Sequence, residues 1–317
     1  REDVINRVRA AGYEINPETM EMIFYKDDWS GPFGAYEEVA RNNRPSISDN
    51  IDHKNKTPIL SPKLYSISYK SYTATTISFT NATSIIADSA NGLAEFKTGD
   101  TIVITGSTSN NGTFNVATGG VAGQIVTTEA LNDEAAGTST TITLSHTGQV
   151  VDLIDFGSAT YVITNRRWVF KIANWGTPGS AYLYSVFRHS NTNTVFTRLF
   201  VHNGYIYACA GTSDVYAYSA NGTTWTESNR GGTDAQASEM ISLRGILHKR
   251  VGSNHYQLTA ATSTGINGGE TWSSADQIGD TSYAPTKMLT LHDSLVFVSS
   301  NGLDNLDGEG NITALMP

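Results

Sequence analysis

Cysteine, charged residues and runs of basic residues are scarce in this sequence, and their scarcity excludes several kinds of site and partner. Cys209 is the one cysteine among 317 residues, so an intramolecular disulfide and a CxxC metal or redox site are excluded. Charged residues make up 16% of the chain, the net charge is −9, and lysine and arginine form no run. A nucleic-acid groove needs a basic stripe that neutralises phosphates, so we expect no nucleic-acid partner.

Long apolar runs and good helix formers are also scarce. No apolar run approaches the ~18 residues of a membrane helix, so we expect no membrane insertion. Leu, Glu and Lys are few after residue 60, whereas Thr, Ser, Asn and Gly are abundant. This composition predicts a mainly β chain of short strands and tight turns, and the single cysteine fits assembly in a reducing cytosol.

Residues 1–62 differ from the rest and predict a helical docking segment followed by an extended linker. Asn16, Pro17 and Glu18 form a good helix start, since Asn caps and Pro suits the first helical position. The apolar residues at helical spacing are Val4, Ile5, Val8 and Ala11, then Met20, Ile23 and Phe24, with a third short helix expected over 35–40. They are too few for an independent core, so we expect this segment to pack on a neighbour.

Residues 63–147 predict a small β-sandwich or barrel domain. Apolar residues alternate along 65–69, 77–79 and 102–104, and Asn-Gly, Gly-Asp and Gly-Gly pairs separate the runs. Residues 96–107 read FKTGDTIVITGS, residues 110–116 read NNGTFNV, and 134–137 read EAAG before TTITL at 140–144. This pattern resembles a small β module of virion and tail proteins of tailed bacteriophages, over ~50 residues.

Residues 148–317 contain a strand–turn–strand unit four times. Aligning Gly157, Gly204, Gly245 and Ser294 gives spacings of 47, 41 and 49 residues, close to the ~40–50 residues of a four-stranded propeller blade. The repeats predict about four β-propeller blades, with an open edge at each end of the row. We expect the ring to be closed by residues after 317, by strands from residues 1–147, or by a neighbouring subunit.

Two blades carry a further landmark before a tryptophan. Residues 219–225 read SANGTTW and 267–272 read NGGETW. Both resemble the Asp-box hairpin, Ser-x-Asp-Gly-Gly-x-Thr-Trp, of sialidases and many other propellers. Both have Asn for Asp, the first is one residue short, and Gly265 replaces the usual Ser of the second. The resemblance implies a structural role for Ser219, Asn221, Gly222, Trp225, Asn267, Gly268, Gly269 and Trp272.

We expect no catalytic, cofactor-binding or metal-binding residues. The arginines lack the setting of a sialidase triad, no histidine pair has zinc spacing, and the acids around 304–310 fit a calcium loop poorly. Carboxylate pairs for glycoside hydrolysis are candidates by sequence proximity alone: Asp152 with Asp155, Asp276 with Asp280, and Asp304 with Asp307. Four aromatic residues suit either sugar stacking or core packing between blades: Trp168, Trp175, Tyr182 and Tyr184.

Together, the docking segment, the phage-like module and the blades predict a structural component of a bacteriophage virion. We expect it in the tail or host-attachment region, assembled in the host cytoplasm, with other virion proteins and copies of itself as partners. The alternative is a carbohydrate-binding or glycoside-hydrolysing Asp-box propeller, for which a host surface glycan would be the ligand.

Overall fold

The structure is a computed structural model that describes residues 67–317 except 176, 178, 230, 261–270, 280, 292, 293, 307–311 and 317. The chain forms two compact units, residues 1–66 and residues 67–317. Of the first unit the structure describes two antiparallel strand pairs, β1 (Glu14–Ile15) with β2 (Met22–Ile23) and β3 (Ile51–Asp52) with β4 (Ile59–Leu60).

Ile23 differs from the prediction for the first unit. The sequence places it on the apolar face of a helix, whereas the structure places it in β2, paired with Glu14. Strand pairing outweighs a helical pattern that rests on three apolar residues. The other residues of the predicted helices lie outside the described residues.

The second unit begins with the small β domain. Its strands are β5 (Ser68–Tyr69), β6 (Ser71–Ala74), β7 (Ile77–Thr80), β8 (Ile85–Asp88), β9 (Thr101–Thr105), β10 (Gly112–Val121), β11 (Gln124–Thr127) and β12 (Thr140–Leu144). All but β5 form one antiparallel sheet in the order β6-β12-β9-β10-β11-β8-β7. Two register shifts in the long strand β10 let one sheet turn around its own core.

Four sheets follow. The first sheet contains β13 (Val150–Phe156), β14 (Ala159–Thr164), β15 (Trp168–Ala173) and β16 (Tyr182–Arg188), and the second contains β17 (Arg198–His202), β18 (Tyr205–Cys209), β20 (Ala217–Ser219) and β21 (Thr226–Glu227). The third sheet contains β23 (Glu239–Leu243), β24 (Ile246–Val251), β25 (Asn254–Ala260), β26 (Thr271–Trp272) and β27 (Asp276–Gln277). The fourth sheet contains β28 (Lys287–Leu291), β29 (Ser294–Ser299), β30 (Gly302–Leu306) and β31 (Ile312–Met316). A further pair, β19 (Gly211–Val215) with β22 (Gln236–Ala237), and two 3₁₀ turns, Gly232–Ala235 and Thr281–Tyr283, complete the described elements. We call the four sheets blades 1 to 4.

The small β domain and blade 1 share one hydrophobic core. Phe96, Ile102 and Ile142 of the domain are fully buried in the same cluster as Phe170 and Leu183 of blade 1. In addition, β5 extends blade 1 by pairing in parallel with β16. The predicted boundary near residue 147 therefore separates two sheets and does not separate two independent cores.

In each blade, two residues separate the first strand from the second, and this spacing corrects the alignment of the repeats. The first strands β13, β17, β23 and β28 end at equivalent residues, which are Phe156, His202, Leu243 and Leu291. Asn203 and Gly204 have φ of 46° and 77°, and Arg244 and Gly245 have φ of 52° and 78°, as a type I′ turn requires. Gly157 is consequently the first turn residue of blade 1, and Ser294 begins the second strand of blade 4, so the sequence alignment is shifted by one residue in these blades.

The first strands of successive blades pack on one another in chain order. β13 contacts β17, β17 contacts β23, and β23 contacts β28, which is the arrangement of inner strands around a propeller axis. Among the described residues no contact of similar extent returns from β28 to β13. The blades therefore form a row with two ends.

Candidate functional site

The Asp-box-like residues of blade 2 form a self-contained hairpin network. Ser219 Oγ accepts the backbone N–H of Gly222 at 2.8 Å and donates to the carbonyl of Thr224 at 2.6 Å. Asn221 Oδ1 accepts the N–H groups of Thr223 and Thr224, as the Asp side chain of the motif would. Trp225 donates from Nε1 to the carbonyl of Gly222 at 3.1 Å. The Ser219 hydroxyl, the Asn221 amide oxygen and the Trp225 indole N–H are thus all used in holding the turn.

Gly222 and Trp225 also fix blade 2 against blade 1. Gly222 has φ of 72°, and a Cβ at this position would lie 1.8 Å from the Tyr161 hydroxyl. The half-buried Trp225 ring stacks on Phe187 at 5.5 Å and meets Tyr161 edge-on at 6.4 Å. The hairpin therefore acts as a packing element between blades.

In blade 3 the tryptophan of the second landmark covers a buried lysine. Trp272 is 9% exposed in β26, and Asn267, Gly268 and Gly269 lie outside the described residues. The Lys249 ammonium lies 4.2 Å from the Trp272 ring centroid and donates to the carbonyls of Thr233 and Asp234 at 2.8 and 2.7 Å. Sequence reasoning missed Lys249, although the run His248-Lys249-Arg250 inside a buried strand was a signal.

Of the carboxylate pairs proposed from sequence proximity, the structure describes both members only of Asp152 with Asp155, and it does not bring these two together as acid and base. Asp152 and Asp155 are three residues apart on β13 and point to opposite faces. Asp152 accepts the N–H of Leu199 at 2.9 Å, and Asp155 accepts the Thr160 hydroxyl. Asp276 lies 3.5 Å from His255 Nδ1. Asp280 and Asp307 lie outside the described residues.

A polar cavity of about 580 Å³ opens where the small β domain meets blade 1. Its lining includes Arg166, Arg167, Trp168, Arg188 and His146, with the remainder small or hydroxyl-bearing, including Thr98, Thr101, Asn115, Thr128, Ser145 and Thr147. No Asp or Glu is among the described residues that line it. In a chain of net charge −9, this cavity concentrates positive charge.

Two arginines of this cavity, Arg167 and Arg188, lie beside the Trp168 ring. The guanidinium groups of Arg167 and Arg188 each lie 5.9 Å from the Trp168 ring centroid. Burial lowers the pKa of Arg167, and the charge of Arg188 lowers it further. Arg167 nevertheless stays protonated at neutral pH, because a guanidinium does not lose its proton in proteins. Gly99 is required beneath Arg188, since a Cβ there would lie 1.8 Å from the guanidinium.

His146 lies between the cavity and a buried acid. Its side chain is 4% exposed, and its Nε2 atom lies 3.3 Å from Oδ1 of the fully buried Asp100, without the geometry of a hydrogen bond. The ring packs on Trp168 at a centroid distance of 4.3 Å. The three guanidinium groups and the rim of hydroxyls can hold an anionic, hydroxyl-rich ligand.

The described residues contain no group of three or more His, Cys, Asp or Glu side chains placed to hold a metal ion. Within the same residues, no helix has the length and apolarity to span a bilayer. Trp168 is 8% exposed and packs in the shared core, Trp175 is 60% exposed, and Tyr182 and Tyr184 are half-buried.

Comparisons with known proteins give weak structural likenesses. No protein-family model matches the chain, and no curated protein matches it. A virginiamycin B lyase of Staphylococcus aureus aligns over 70% of this chain and 71% of its own, with 13% identity and a TM-score of 0.42. The N-terminal domain of Nup159 aligns over 80% of this chain and 59% of its own, with 8% identity and a TM-score of 0.35.

An extracellular domain of a one-component system from B. thetaiotaomicron also aligns, with 12% identity and a TM-score of 0.39. It covers 51% of this chain, which spans 23% of the length of that protein. The mainly β, propeller-like character of the chain rests on its own sheets, described above.

Proposed function

We propose that the chain is a structural component of a bacteriophage virion, in the tail or the host-attachment region, where it acts as a scaffold or binding platform. The observation that carries this proposal is the hydrogen-bond network formed by the phage-like motif of the small β domain. Glu134, Ser107, Asn110 and Asp100 of the motif each have a defined hydrogen-bond partner, which supports a structural role for the module.

Glu134 is the centre of that motif network. Its carboxylate accepts the Ser107 hydroxyl at 2.6 Å, the N–H of Thr108 at 2.9 Å and the Asn110 amide at 3.1 Å. Asn110 in turn accepts the N–H of Asn132 at 2.7 Å and donates to its carbonyl at 3.1 Å. These bonds tie the loop after β9 to the segment before β12, and they stiffen the module without creating a reactive group.

A scaffold also needs a fixed angle between its parts. The hydrophobic core that the small β domain shares with blade 1 supports such a fixed angle. Ser185 of blade 1 donates to Asp100 of the small β domain at 2.6 Å, and both side chains are buried. Lys70 bridges to Glu95 at 2.6 Å, and Glu95 also accepts the Tyr182 hydroxyl. With one core and buried polar bonds across the junction, module and blade 1 move as one body.

Purified virions test this proposal directly. An antibody against residues 67–317 is expected to label the tail or its tip in electron micrographs of particles banded by density gradient. Mass spectrometry of the same particles should find the chain at a stoichiometry of several copies. Its absence from infectious, banded particles would overturn the virion role.

The arginine-lined cavity favours a second function, binding of an acidic glycan without turnover. A carboxylate-bearing sugar would pair with the guanidinium groups while its hydroxyls meet the Thr and Ser rim. Glycan-array binding should favour uronic or sialic acid sugars over neutral ones, and Arg188→Ala should abolish it, whereas Arg244→Ala, outside the cavity, should not. Release of reducing sugar would point instead to a hydrolase.

A further inference from the structure

A second cavity, of about 430 Å³, opens among blades 2, 3 and 4, where their first strands begin. This volume is within the range of small-molecule pockets. Residues 197–198 of blade 2, 238–239 of blade 3 and 286–287 of blade 4 all line it, and each pair is a hydroxyl-bearing residue followed by a charged one. We call it the blade-junction cavity. The described residues that line it are all different from those of the arginine-lined cavity.

The three hydroxyl-bearing residues occupy equivalent places in their blades. In each blade, the backbone N–H of this residue donates to a carbonyl of the second strand. These bonds join Thr197 to Cys209 at 2.8 Å, Ser238 to Arg250 at 2.7 Å and Thr286 to Val298 at 2.8 Å. Three successive blades therefore bring the same position to one cavity, and a ligand there would be contacted from three directions.

Positive charge exceeds negative charge in the blade-junction cavity. Its lining contains Arg198, Arg250 and Lys287, whereas Glu239 is the one acid among the described residues that line it. From outside the lining, Asp152 Oδ2 lies 3.5 Å from Arg198 Nε and balances part of that charge. Three cations against two acids leave a surplus of positive charge, in a chain whose net charge is −9.

Glu239 holds the cations around the cavity. Its Oε1 lies 3.6 Å from Arg198 Nε, and its Oε2 lies 3.9 Å from Arg250 Nη2. Oε2 also accepts the N–H of Met288 at 2.8 Å. Burial raises the pKa of Glu239, against the Met288 bond and the charges of all three cations. The carboxylate is thus engaged by blades 2, 3 and 4, which positions the cations before a ligand arrives.

The guanidinium of Arg250 has more donors than acceptors. The residue is 8% exposed, and a guanidinium carries five N–H donors. Nη1 donates to the carbonyl of Gly252 at 3.0 Å and Nη2 to that of Thr286 at 3.5 Å. Nε is buried and has no hydrogen-bond partner among the described residues. Because a buried donor without an acceptor costs stability, a further acceptor at this guanidinium would be stabilising.

We propose that the blade-junction cavity binds the phosphate group of a small organic phosphate. Guanidinium and ammonium groups are the usual partners of phosphate oxygens in proteins. A phosphate is tetrahedral and directs its oxygens toward all three blades, whereas a carboxylate has two oxygens in one plane. Ser238 Oγ accepts the N–H of Gly252 at 3.3 Å and keeps its own hydrogen for a ligand oxygen. A phosphate fills only part of about 430 Å³, so the organic part lies in the same cavity.

This inference goes beyond the virion and glycan proposals and does not depend on either. Absence of the chain from virions, or of acidic-glycan binding, would leave the phosphate site standing. A failure to bind phosphate would leave the virion and glycan tests untouched.

Isothermal titration calorimetry of the 317-residue chain tests the ligand class. At constant ionic strength, inorganic phosphate and glycerol 2-phosphate should each bind at one site, with glycerol 2-phosphate the tighter. Chloride and succinate are the controls for charge alone. Lack of saturation by either phosphate at millimolar concentrations, or tighter binding of succinate, would overturn the proposal. Tighter binding of inorganic phosphate than of glycerol 2-phosphate would overturn the organic part of the ligand.

A charge variant at the rim tests the location of the site. Lys287 is exposed, so Lys287→Gln should fold as the parent chain does, and it should raise the dissociation constant of inorganic phosphate about 10-fold. Lys287→Arg keeps the charge and should stay within about twofold. Arg244→Gln is the matched control, because it removes the same charge from the turn at the other end of β23, outside the lining. Equal losses in Lys287→Gln and Arg244→Gln would overturn the site.

Amide spectra of the ¹⁵N-labelled chain locate the phosphate independently. Gly211 and Gly252 line the blade-junction cavity, so their N–H signals should shift as inorganic phosphate is added, with the dissociation constant found by calorimetry. Gly99 reports on the arginine-lined cavity. Shifts at Gly99 with none at Gly211 or Gly252 would place the phosphate in the arginine-lined cavity and overturn the proposal.

Discussion

The Lys249 ammonium lies 4.2 Å from the centre of the Trp272 ring, in a blade interior where the lysine is fully buried. A buried lysine is tolerated here because two backbone carbonyls accept its protons and the aromatic face stabilises its charge. Lys249→Ala should therefore lower the free energy of unfolding by about 2–5 kcal/mol in urea titrations, through the cavity and the unpaired carbonyls. Lys249→Met, which fills most of the space, should cost less, and an equal cost would contradict the packing contribution.

The two landmark tryptophans should differ in cost. Trp272→Ala removes a buried ring and should cost about 3–5 kcal/mol of unfolding free energy. Trp225→Ala should cost less, because that ring is only half-buried. Trp175→Ala is the control, since Trp175 is 60% exposed, and it should change stability by less than about 0.5 kcal/mol. A cost below about 1 kcal/mol for Trp272→Ala would refute the structural role of the landmark.

Glu134→Gln should destabilise the small β domain by about 1–3 kcal/mol, because it replaces a charged acceptor with an amide whose N–H₂ faces other donors. Burial raises the pKa of Glu134, but the hydrogen bonds from Ser107, Thr108, Ser109 and Asn110 outweigh it and bring the pKa to about 2. The stabilisation is therefore present above pH 4.5, the ordinary value, and is lost as the pH falls toward 2. Asp133→Asn, which removes the charge of an exposed acceptor of one backbone bond, should cost less in the same denaturation assay.

A histidine pair in blade 3 should make stability fall under mild acid. His248 Nδ1 and His255 Nε2 lie 2.9 Å apart, and burial, with the neighbouring His255, lowers the pKa of His248 from 6.5 to about 4. The fold favours the neutral ring, so stability is complete above pH 6.5 and declines as the pH falls to 4, by about 3 kcal/mol. Urea titrations from pH 8 to 4.5 should show this slope, and His248→Val, which copies Val296 of blade 4, should flatten it. An unchanged slope in the variant would contradict the assignment.

The local sequence pattern was enough to predict strands in the blades and in the small β domain. The apolar alternation and the turn residues that indicate these strands lie within single hairpins. The alternation of Ile102 and Ile104 predicted a half-buried strand, and both are fully buried in β9. The repeat alignment is shifted at Gly157 because the turn of blade 1 has its glycine, with φ of 60°, at the first turn position, whereas blades 2 and 3 have it at the second. At Ser294 it is shifted because no glycine stands between the first two strands of blade 4.

The functional features escaped the sequence because they join distant segments. Arg188 meets Gly99 only when blade 1 packs on the small β domain. Arg198 Nε lies 3.5 Å from Asp152 Oδ2 and 3.6 Å from Glu239 Oε1, and these ion pairs between blades can be found only after the turn register is known. A one-residue error in the register places residues of opposite strand faces in the same row.

Mass spectrometry and immunoelectron microscopy of gradient-banded virions test the central claim most directly. The account predicts that the chain co-purifies with infectious particles and that an antibody against residues 67–317 labels the tail or its tip. Infectious, banded particles that lack the chain would contradict it.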